Sequence, residues 1–171
     1  SIFQVLPVVS RRQGTEPMKG GNTMKDRHQL AAPCGLYCGA CGIYAAHRDS
    51  DQKLKEKLAA VYGLSSEDIR CEGCLSESDN VFFYCRVCAI KNCTREKGFE
   101  GCYQCTEFPC KIIDDFPFPV GKKVMLRSVP ACRELGTEKW MDEEERRYSC
   151  PHCGGKLFRG AKRCRTCKET T

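Results

Sequence analysis

The clearest hydrophobic pattern in the chain predicts one amphipathic helix near its first third. Apolar residues recur there at spacings of four and three, which places them on a single helix face: Leu54, Leu58 and Val61. Ser50 or Asp51 is suited to cap the start of this helix, and Gly63 marks its end. A shorter helix is expected over residues 43–47. Residues 65–68 have the form of a capping box.

The second half of the chain predicts a further helix after a proline-rich stretch. Residues 116–120 contain two prolines and are expected to form an extended link. A helix is predicted over residues 124–141, with Pro130 either starting or interrupting it. The charged run that follows, residues 142–147, is interpreted as a solvated helix end.

These patterns divide the chain into four parts. Residues 1–27 have no sustained period and are predicted to be disordered. Residues 28–118 form a predicted Cys-rich core, residues 119–147 a helical linker, and residues 148–171 a C-terminal zinc ribbon. The apolar content is modest for a self-supporting core, so we expect bound metal to supply part of the stability.

Cysteine usage decides the class of protein. The chain holds 16 cysteines, nearly all in short C-x2-C or C-x3-C-x2-C spacings that can present several sulfurs to one ion. A disulfide framework fits less well, because no secretory leader is recognisable and a reducing cytoplasm is therefore expected. No apolar run approaches the ~18 residues of a membrane span. Fifteen cysteines are predicted metal ligands: Cys34, Cys38, Cys41, Cys71, Cys74, Cys85, Cys88, Cys93, Cys102, Cys105, Cys110, Cys150, Cys153, Cys164 and Cys167.

The last four of these cysteines have the strongest spacing signal. Two C-x2-C knuckles separated by ten residues can place four thiolates around a tetrahedral zinc ion. Leu157 and Phe158 suit a short strand after the turn at Gly154. His152 is expected to point outward. The predicted fold is a small, metal-stabilised α+β protein, with short helices in an irregular Cys-rich core and a C-terminal zinc-ribbon hairpin.

The middle of the chain contains an internal repeat. Cys85, Cys88 and Cys93 form C-x2-C-x4-C, and the same pattern returns seventeen residues later at Cys102, Cys105 and Cys110. Two equal triplets predict two similar units in tandem. Aromatic residues lie between them, and we expect these to cover metal sites rather than to stack on nucleic acid.

Charge is concentrated at the C-terminus. The formal net charge is +6, and residues 149–171 carry six Lys or Arg against one acid. Such a patch can contact phosphates or an acidic protein surface. The predicted partner-binding residues are Lys156, Arg159, Lys162, Arg163, Arg165 and Lys168.

The ordered cysteine motifs resemble the bacterial and archaeal domain-of-unknown-function 3795 family. The resemblance rests on C-G-L-Y-C-G-A-C at residues 34–41, C-E-G-C at 71–74, the two triplets, and Lys97-Gly98. Residues 133–136, Trp140 and the C-terminal cysteines are similar to the longer members. The resemblance implies a metal-binding protein of anaerobe-rich lineages without an established activity, so it supplies no catalytic residues.

The family pattern also bears on the number of sites. Other members have different residues at the position of Cys132, which implies a structural or free thiol there. Eleven core cysteines then remain, and eleven does not divide into closed four-thiolate sites. Two complete sites and a third with three thiolates would use them all. His47, a carboxylate, water or substrate would complete the third site, which is how catalytic zinc keeps a position open.

Three functions remain open at this point. The first is a non-catalytic zinc protein that presents the basic C-terminus to a protein or nucleic acid. The second is an iron–sulfur electron carrier or accessory subunit of an anaerobic enzyme, with [4Fe–4S] clusters in the core. The third is a metalloenzyme using the open site. The chain has three histidines and no P-loop or H-E-x-x-H motif, so a non-catalytic role is favoured.

Overall fold

The computed structural model describes residues 27–171. The disorder predicted for residues 1–27 lies outside this range except at Arg27. The Arg27 guanidinium is bound to the last helix of the chain, where its nitrogens lie 3.4 Å from Glu138 Oε2 and 3.5 Å from Glu145 Oε1 and also pair with Asp142. The described part therefore begins with a side chain anchored on that helix.

The described residues form helices joined by turns. The α-helices are α1 (Gly42–Arg48), α2 (Gln52–Tyr62), α3 (Phe83–Arg86), α4 (Ala89–Glu96), α5 (Lys111–Asp114), α6 (Pro119–Leu135) and α7 (Thr137–Arg147). Short 3-10 helices span Cys38–Ala40, Ser66–Asp68 and Cys102–Gln104. Within residues 27–171, none of the helices combines the length and apolarity needed to cross a membrane.

The predicted α+β class and the zinc-ribbon hairpin are wrong. Within residues 27–171, extended pairing is limited to isolated bridges, two of which, Ser149–Lys156 and Arg163–Thr170, flank the C-terminal knuckles. The backbone there closes tight turns around cysteines, as in Gly154 N–H to Cys150 O at 2.8 Å. These turns use the hydrogen bonds that a ladder would need, and a two-stranded ribbon alone is marginal.

The first two predicted helices are confirmed, with the expected ends. Asp51 caps α2, and its carboxylate accepts a hydrogen bond from Leu54 N at 3.0 Å. Gly63 ends the helix at φ 67°, a left-handed conformation that favours glycine. The predicted capping box is also present, with the Ser65 and Asp68 side chains each bonding the other's backbone.

The proline positions of α6 differ from the prediction. The helix begins at Pro119, inside the stretch expected to be an extended link, because proline is well suited to the first helical turn. Pro130 lies inside α6 rather than at an end. Pro130 has no N–H to donate to the carbonyl of Leu126, four residues earlier in the helix. Both residues lie on the exposed face of α6, so water can donate a hydrogen bond to that carbonyl. Gly136, with φ 78°, then separates α6 from α7.

The α6 and α7 segment, predicted to be a linker, packs into the core. Met125 and Val129 of α6 and Trp140 and Met141 of α7 are all 0–1% exposed. Trp140 Nε1 donates to Ser128 Oγ at 2.7 Å, so the buried indole is satisfied across the two helices. Aliphatic and aromatic packing between these helices therefore contributes to the stability of the fold, besides the contribution expected from metal.

Candidate metal centre

The C-terminal cysteines form a compact tetrad. The sulfurs of Cys150, Cys153, Cys164 and Cys167 all lie within 4.8 Å of one another. Cys150 Sγ is 3.7 Å from Cys167 Sγ, and Cys153 Sγ is 3.6 Å from Cys164 Sγ. A tetrahedral zinc ion with Zn–S bonds of about 2.3 Å separates its sulfurs by about 3.8 Å. The four thiols therefore fit one metal ion.

Local backbone geometry prepares this tetrad for metal. Gly154 has φ 70° and Lys168 has φ 67°, so each knuckle closes through a left-handed residue. The backbone N–H groups of Cys167 and Thr166 donate to Cys164 Sγ and lower the pKa of this thiol to about 6. Thiolate is the metal-binding form, and these two N–H donors favour it at Cys164.

The C-terminal unit, residues 148–171, is bound to the start of the core by hydrogen bonds and ion pairs. Arg159 N–H donates to Ala40 O at 2.7 Å, and its guanidinium donates to Tyr37 O at 3.2 Å. Arg165 Nη1 lies 2.9 Å from Asp51 Oδ2, and its other terminal nitrogen pairs with Asp49. The tetrad is thus held beside α1 and the cap of α2.

These contacts bear on the residues predicted to bind a partner. Arg159 and Arg165 are engaged within the molecule, and the Lys168 ammonium bonds the carbonyl of Arg165. The remaining three members of the predicted set are exposed: Lys156, Lys162 and Arg163. The free part of the basic surface is smaller than the sequence indicates.

Five core thiols form a second assembly, here called the five-thiol group: Cys38, Cys41, Cys71, Cys74 and Cys85. Cys74 and Cys85 share a hydrogen bond, and Cys74 N–H donates to Cys38 Sγ at 3.3 Å. Burial raises the pKa of Cys38 well above its usual value, and the nearby Cys74 and Cys41 add to the rise. A bound cation would favour the thiolates that burial disfavours.

Gly73 is required by the loop that carries two of these thiols. It has φ 122°, and an added Cβ would lie 2.6 Å from the carbonyl oxygen of Gln29. Only glycine permits so close an approach of two backbones. The C-E-G-C motif therefore folds against the first described turn and brings Cys71 and Cys74 inward.

Four other core thiols line a small cavity, here called the four-thiol cavity: Cys93, Cys102, Cys105 and Cys110. The first lies on α4, the next two lie on and directly after the third 3-10 helix, and the last precedes α5. The internal repeat does not form two equal units, because Cys93 of the first triplet joins the second triplet.

Cys34 and Cys88 lie near each other and near Cys102 of the four-thiol cavity. Burial raises the pKa of Cys34, and the neighbouring Cys74, Cys88 and Cys102 thiols raise it further. Cys34 therefore has neighbours in both assemblies. Cys132 is 3% exposed and packs with Trp140 and Leu30 in an apolar cluster.

Two of the three histidines lie next to carboxylates. His47, proposed as an extra ligand, has its Nε2 3.9 Å from Glu72 Oε1, and His28 Nε2 lies 2.8 Å from Glu138 Oε1. His152 is exposed between the first two tetrad cysteines, as expected.

Two lysines next to the core thiols were not among the predicted site residues. Lys91 is 6% exposed, and its ammonium donates to Cys74 O at 2.6 Å. Lys97 Nζ lies 3.9 Å from Cys105 Sγ. Helical spacing along the sequence could not have identified these contacts, because the partners Cys74 and Cys105 lie 17 and 8 residues away from the two lysines.

Comparison with known proteins gives a family and no activity. No curated protein and no solved structure matches the chain. The model of a family described as "Protein of unknown function (DUF3795)" matches residues 30–115. This range includes all eleven core thiols and ends before α6, so it does not cover Cys132, Trp140 or the C-terminal tetrad. The match spans half of the chain, and the protein belongs to the DUF3795 family.

Proposed function

We propose that this protein is a non-catalytic zinc protein whose C-terminal tetrad holds one Zn²⁺ in a closed site. The observation that supports this most directly is the sulfur spacing of 3.6 and 3.7 Å. That spacing matches the edge of a zinc–thiolate tetrahedron and is too short for an inorganic iron–sulfide core to lie between the sulfurs. Four thiolates fill the coordination sphere, which is typical of structural zinc.

Elemental analysis of the full chain tests this function. Cys153 is the exposed member of the tetrad, so Cys153→Ser removes a ligand with little disturbance of packing. We expect this variant to lose one zinc equivalent, while the matched control Cys132→Ala keeps the native zinc content. Equal zinc in both variants would reject the tetrad as a zinc site, as would iron in place of the missing zinc.

An iron–sulfur cluster in the five-thiol group is the second candidate function for the core. Within residues 27–171, the C-terminal tetrad is the group whose sulfurs all lie within 4.8 Å, and the five-thiol group is less compact. Wider spacing favours a polynuclear cluster over one zinc ion, because iron and sulfide then occupy the space between sulfurs. Visible absorption that bleaches on reduction, with acid-labile sulfide, would support the cluster. A colourless, zinc-only protein prepared anaerobically would exclude it.

A role in binding nucleic acid is supported by the exposed basic residues of the C-terminal unit. Lys156, Lys162 and Arg163 are the members of the predicted set that remain free to contact phosphates. We expect RNA affinity to fall steeply with added salt and to weaken when these three are neutralised. Absence of binding at low salt would reject this role.

All 16 cysteines are free of disulfides, which supports a reducing compartment such as the cytoplasm.

A further inference from the structure

A cavity lies where the start of the core meets α7 and the C-terminal unit. Its volume is about 280 Å³, close to the lower end of the range for small-molecule sites, which begins at about 300 Å³. Water takes about 30 Å³ per molecule in the liquid, so this space suits a ligand with on the order of ten non-hydrogen atoms. All three parts of the chain contribute lining residues, so such a ligand would contact both the core and the C-terminal unit.

Three tyrosines give this cavity aromatic walls: Tyr37, Tyr44 and Tyr148. The first is buried, and its hydroxyl donates to Glu145 Oε1 at 2.7 Å. Its ring also lies directly over Gly39, where an added Cβ would come within 2.4 Å of the ring atoms. A side chain at that position would displace the ring, so the glycine keeps this wall in place. Aromatic walls favour a planar ring as ligand, because rings pack well in offset-stacked or edge-to-face pairs.

The charges in the lining favour an anion. Among the described residues that line the cavity there is one carboxylate, Glu145, and there are two cations, Arg48 and Lys156. Glu145 is paired with Arg27, and Arg48 is paired with Asp49. The Lys156 ammonium, in contrast, has no ion-pair or hydrogen-bond partner within residues 27–171. One positive charge in the lining is therefore uncompensated, which suits a ligand with a single negative charge.

A free hydroxyl donor lies in the same cavity. Tyr44 is half-buried on α1, and its hydroxyl has no hydrogen-bond partner within residues 27–171. Burial raises the pKa of this phenol above its ordinary value, so the hydroxyl is protonated at neutral pH and can donate. The Arg48 guanidinium lies 5.6 Å from the centre of the Tyr44 ring and supports it there. A carboxylate accepts hydrogen bonds from hydroxyl and ammonium groups alike, so it matches both free donors.

We propose that this cavity is a binding site for a small aromatic carboxylate, whose ring packs among the three tyrosines and whose carboxylate pairs with Lys156. The volume sets the size of the ligand, the tyrosines select a planar ring, and the single unpaired ammonium selects one negative charge. This inference goes beyond the zinc function, because it gives the protein a small-molecule ligand. None of the sixteen thiols takes part in the site.

Titration of the zinc-loaded full chain with para-fluorobenzoate, followed by fluorine NMR, tests the ligand class. We expect saturable binding of one equivalent. Para-fluorobenzyl alcohol keeps the ring and lacks the charge, so it should bind about 10-fold more weakly. Cyclohexanecarboxylate keeps the charge and lacks the flat ring, so it should displace the probe about 5-fold less effectively than benzoate. Absence of binding at millimolar probe would overturn the proposal, and so would equal affinity for the alcohol or for the cyclohexane acid.

Substitutions in the lining test where the probe binds. Lys156→Gln should weaken para-fluorobenzoate binding about 10-fold, because it removes the charge from the hydrogen bond to the carboxylate. Lys53→Gln is the matched control, since Lys53 is an exposed lysine on α2 outside the lining, and it should bind as native. Tyr44→Leu keeps an apolar side chain without the ring and hydroxyl, and it should weaken binding about 5-fold.

Zinc content and circular dichroism of each variant show that the fold is retained. The Lys156 side chain has no ion-pair or hydrogen-bond partner within residues 27–171, so we expect Lys156→Gln to keep both at native values. Native affinity for para-fluorobenzoate in folded Lys156→Gln would overturn the assignment of the carboxylate to this cavity. An equal loss of affinity in Lys53→Gln would overturn it as well, because it would show that overall charge attracts the probe.

Discussion

Arg165 Nη1 lies 2.9 Å from Asp51 Oδ2, so a residue between two tetrad cysteines is bound to the carboxylate that caps α2. Asp51 accepts from Leu54 N–H through its other oxygen, Oδ1. One side chain thus starts a helix and holds the C-terminal unit against it. Both contacts favour the ionised carboxylate.

Replacing Asp51 by Ala should destabilise the zinc-loaded protein. The variant loses the helix cap, which contributes about 1 kcal/mol, together with the ion pair to Arg165. Urea unfolding gives the difference in free energy. Lys57→Ala, an exposed change on the same helix, serves as the control and should have little effect. Equal stability of the two variants would contradict this account of α2.

The contribution of Asp51 should not vary with pH in the neutral range. The Leu54 N–H and Arg165 hold the pKa of the Asp51 carboxyl below its ordinary value. A carboxyl with a depressed folded-state pKa stabilises the fold fully above the unfolded pKa of about 3.9, and this is lost as pH falls through the lower folded value. The stability gap between native protein and Asp51→Asn should stay constant between about pH 5 and 8. A gap that shrinks in this range would contradict the assignment.

The indole of Trp140 should be energetically coupled to Ser128. Ser128→Ala leaves a buried indole N–H without its acceptor, which costs about 1–3 kcal/mol. Trp140→Phe removes the donor and part of the packing. The double variant should therefore cost less than the sum of the single variants, because the unpaired donor is then absent. Denaturant unfolding of all four proteins measures the coupling, and simple additivity would mean that the hydrogen bond contributes nothing.

The ion pair of Glu144 with Arg127 should stabilise the fold more than its ion pair with Arg147. Glu144 is 1% exposed, and Arg127 binds it through two hydrogen bonds, of 2.6 and 3.0 Å. Arg147 reaches the same carboxylate through one contact at 3.3 Å. Arg127→Met should destabilise the fold by roughly 2 kcal/mol more than Arg147→Met, since it leaves a buried charge poorly paired. Thermal unfolding of the two variants compares them directly, and the reverse order would contradict the described pairing.

Loss of metal from the tetrad should unfold the C-terminal unit and leave the rest of the described fold intact. Within residues 148–171 no strand or large apolar cluster holds the turns, and Lys162 and Arg163 are exposed. In Cys153→Ser, trypsin should cleave after these two residues much faster than in the native protein. Cleavage within α2 should not change, and Cys132→Ala should behave as native. Protection of the C-terminal sites in Cys153→Ser would mean that other contacts maintain this unit.

Residue types in the sequence correctly predicted the helix caps and helix ends, which depend on residues close by in the chain. The cap at Asp51, the stop at Gly63 and the capping box at Ser65 were all predictable, because each depends on backbone groups a few residues away. Membership of the family was also readable from ordered cysteine spacings. The compact C-terminal tetrad was predictable for the same reason, since each C-x2-C knuckle is a local turn.

Tertiary structure alone decided how distant thiols meet and which positive charges remain free. Cys93 leaves its own repeat for the four-thiol cavity, since α4 directs it towards Cys102 rather than Cys85. Arg165 turns from the basic surface to Asp51 because the two units pack together. The predicted hairpin failed because the backbone hydrogen bonds close turns around cysteines instead of a ladder. Spacing along a chain determines which groups can meet locally, whereas long-range packing determines which of them do.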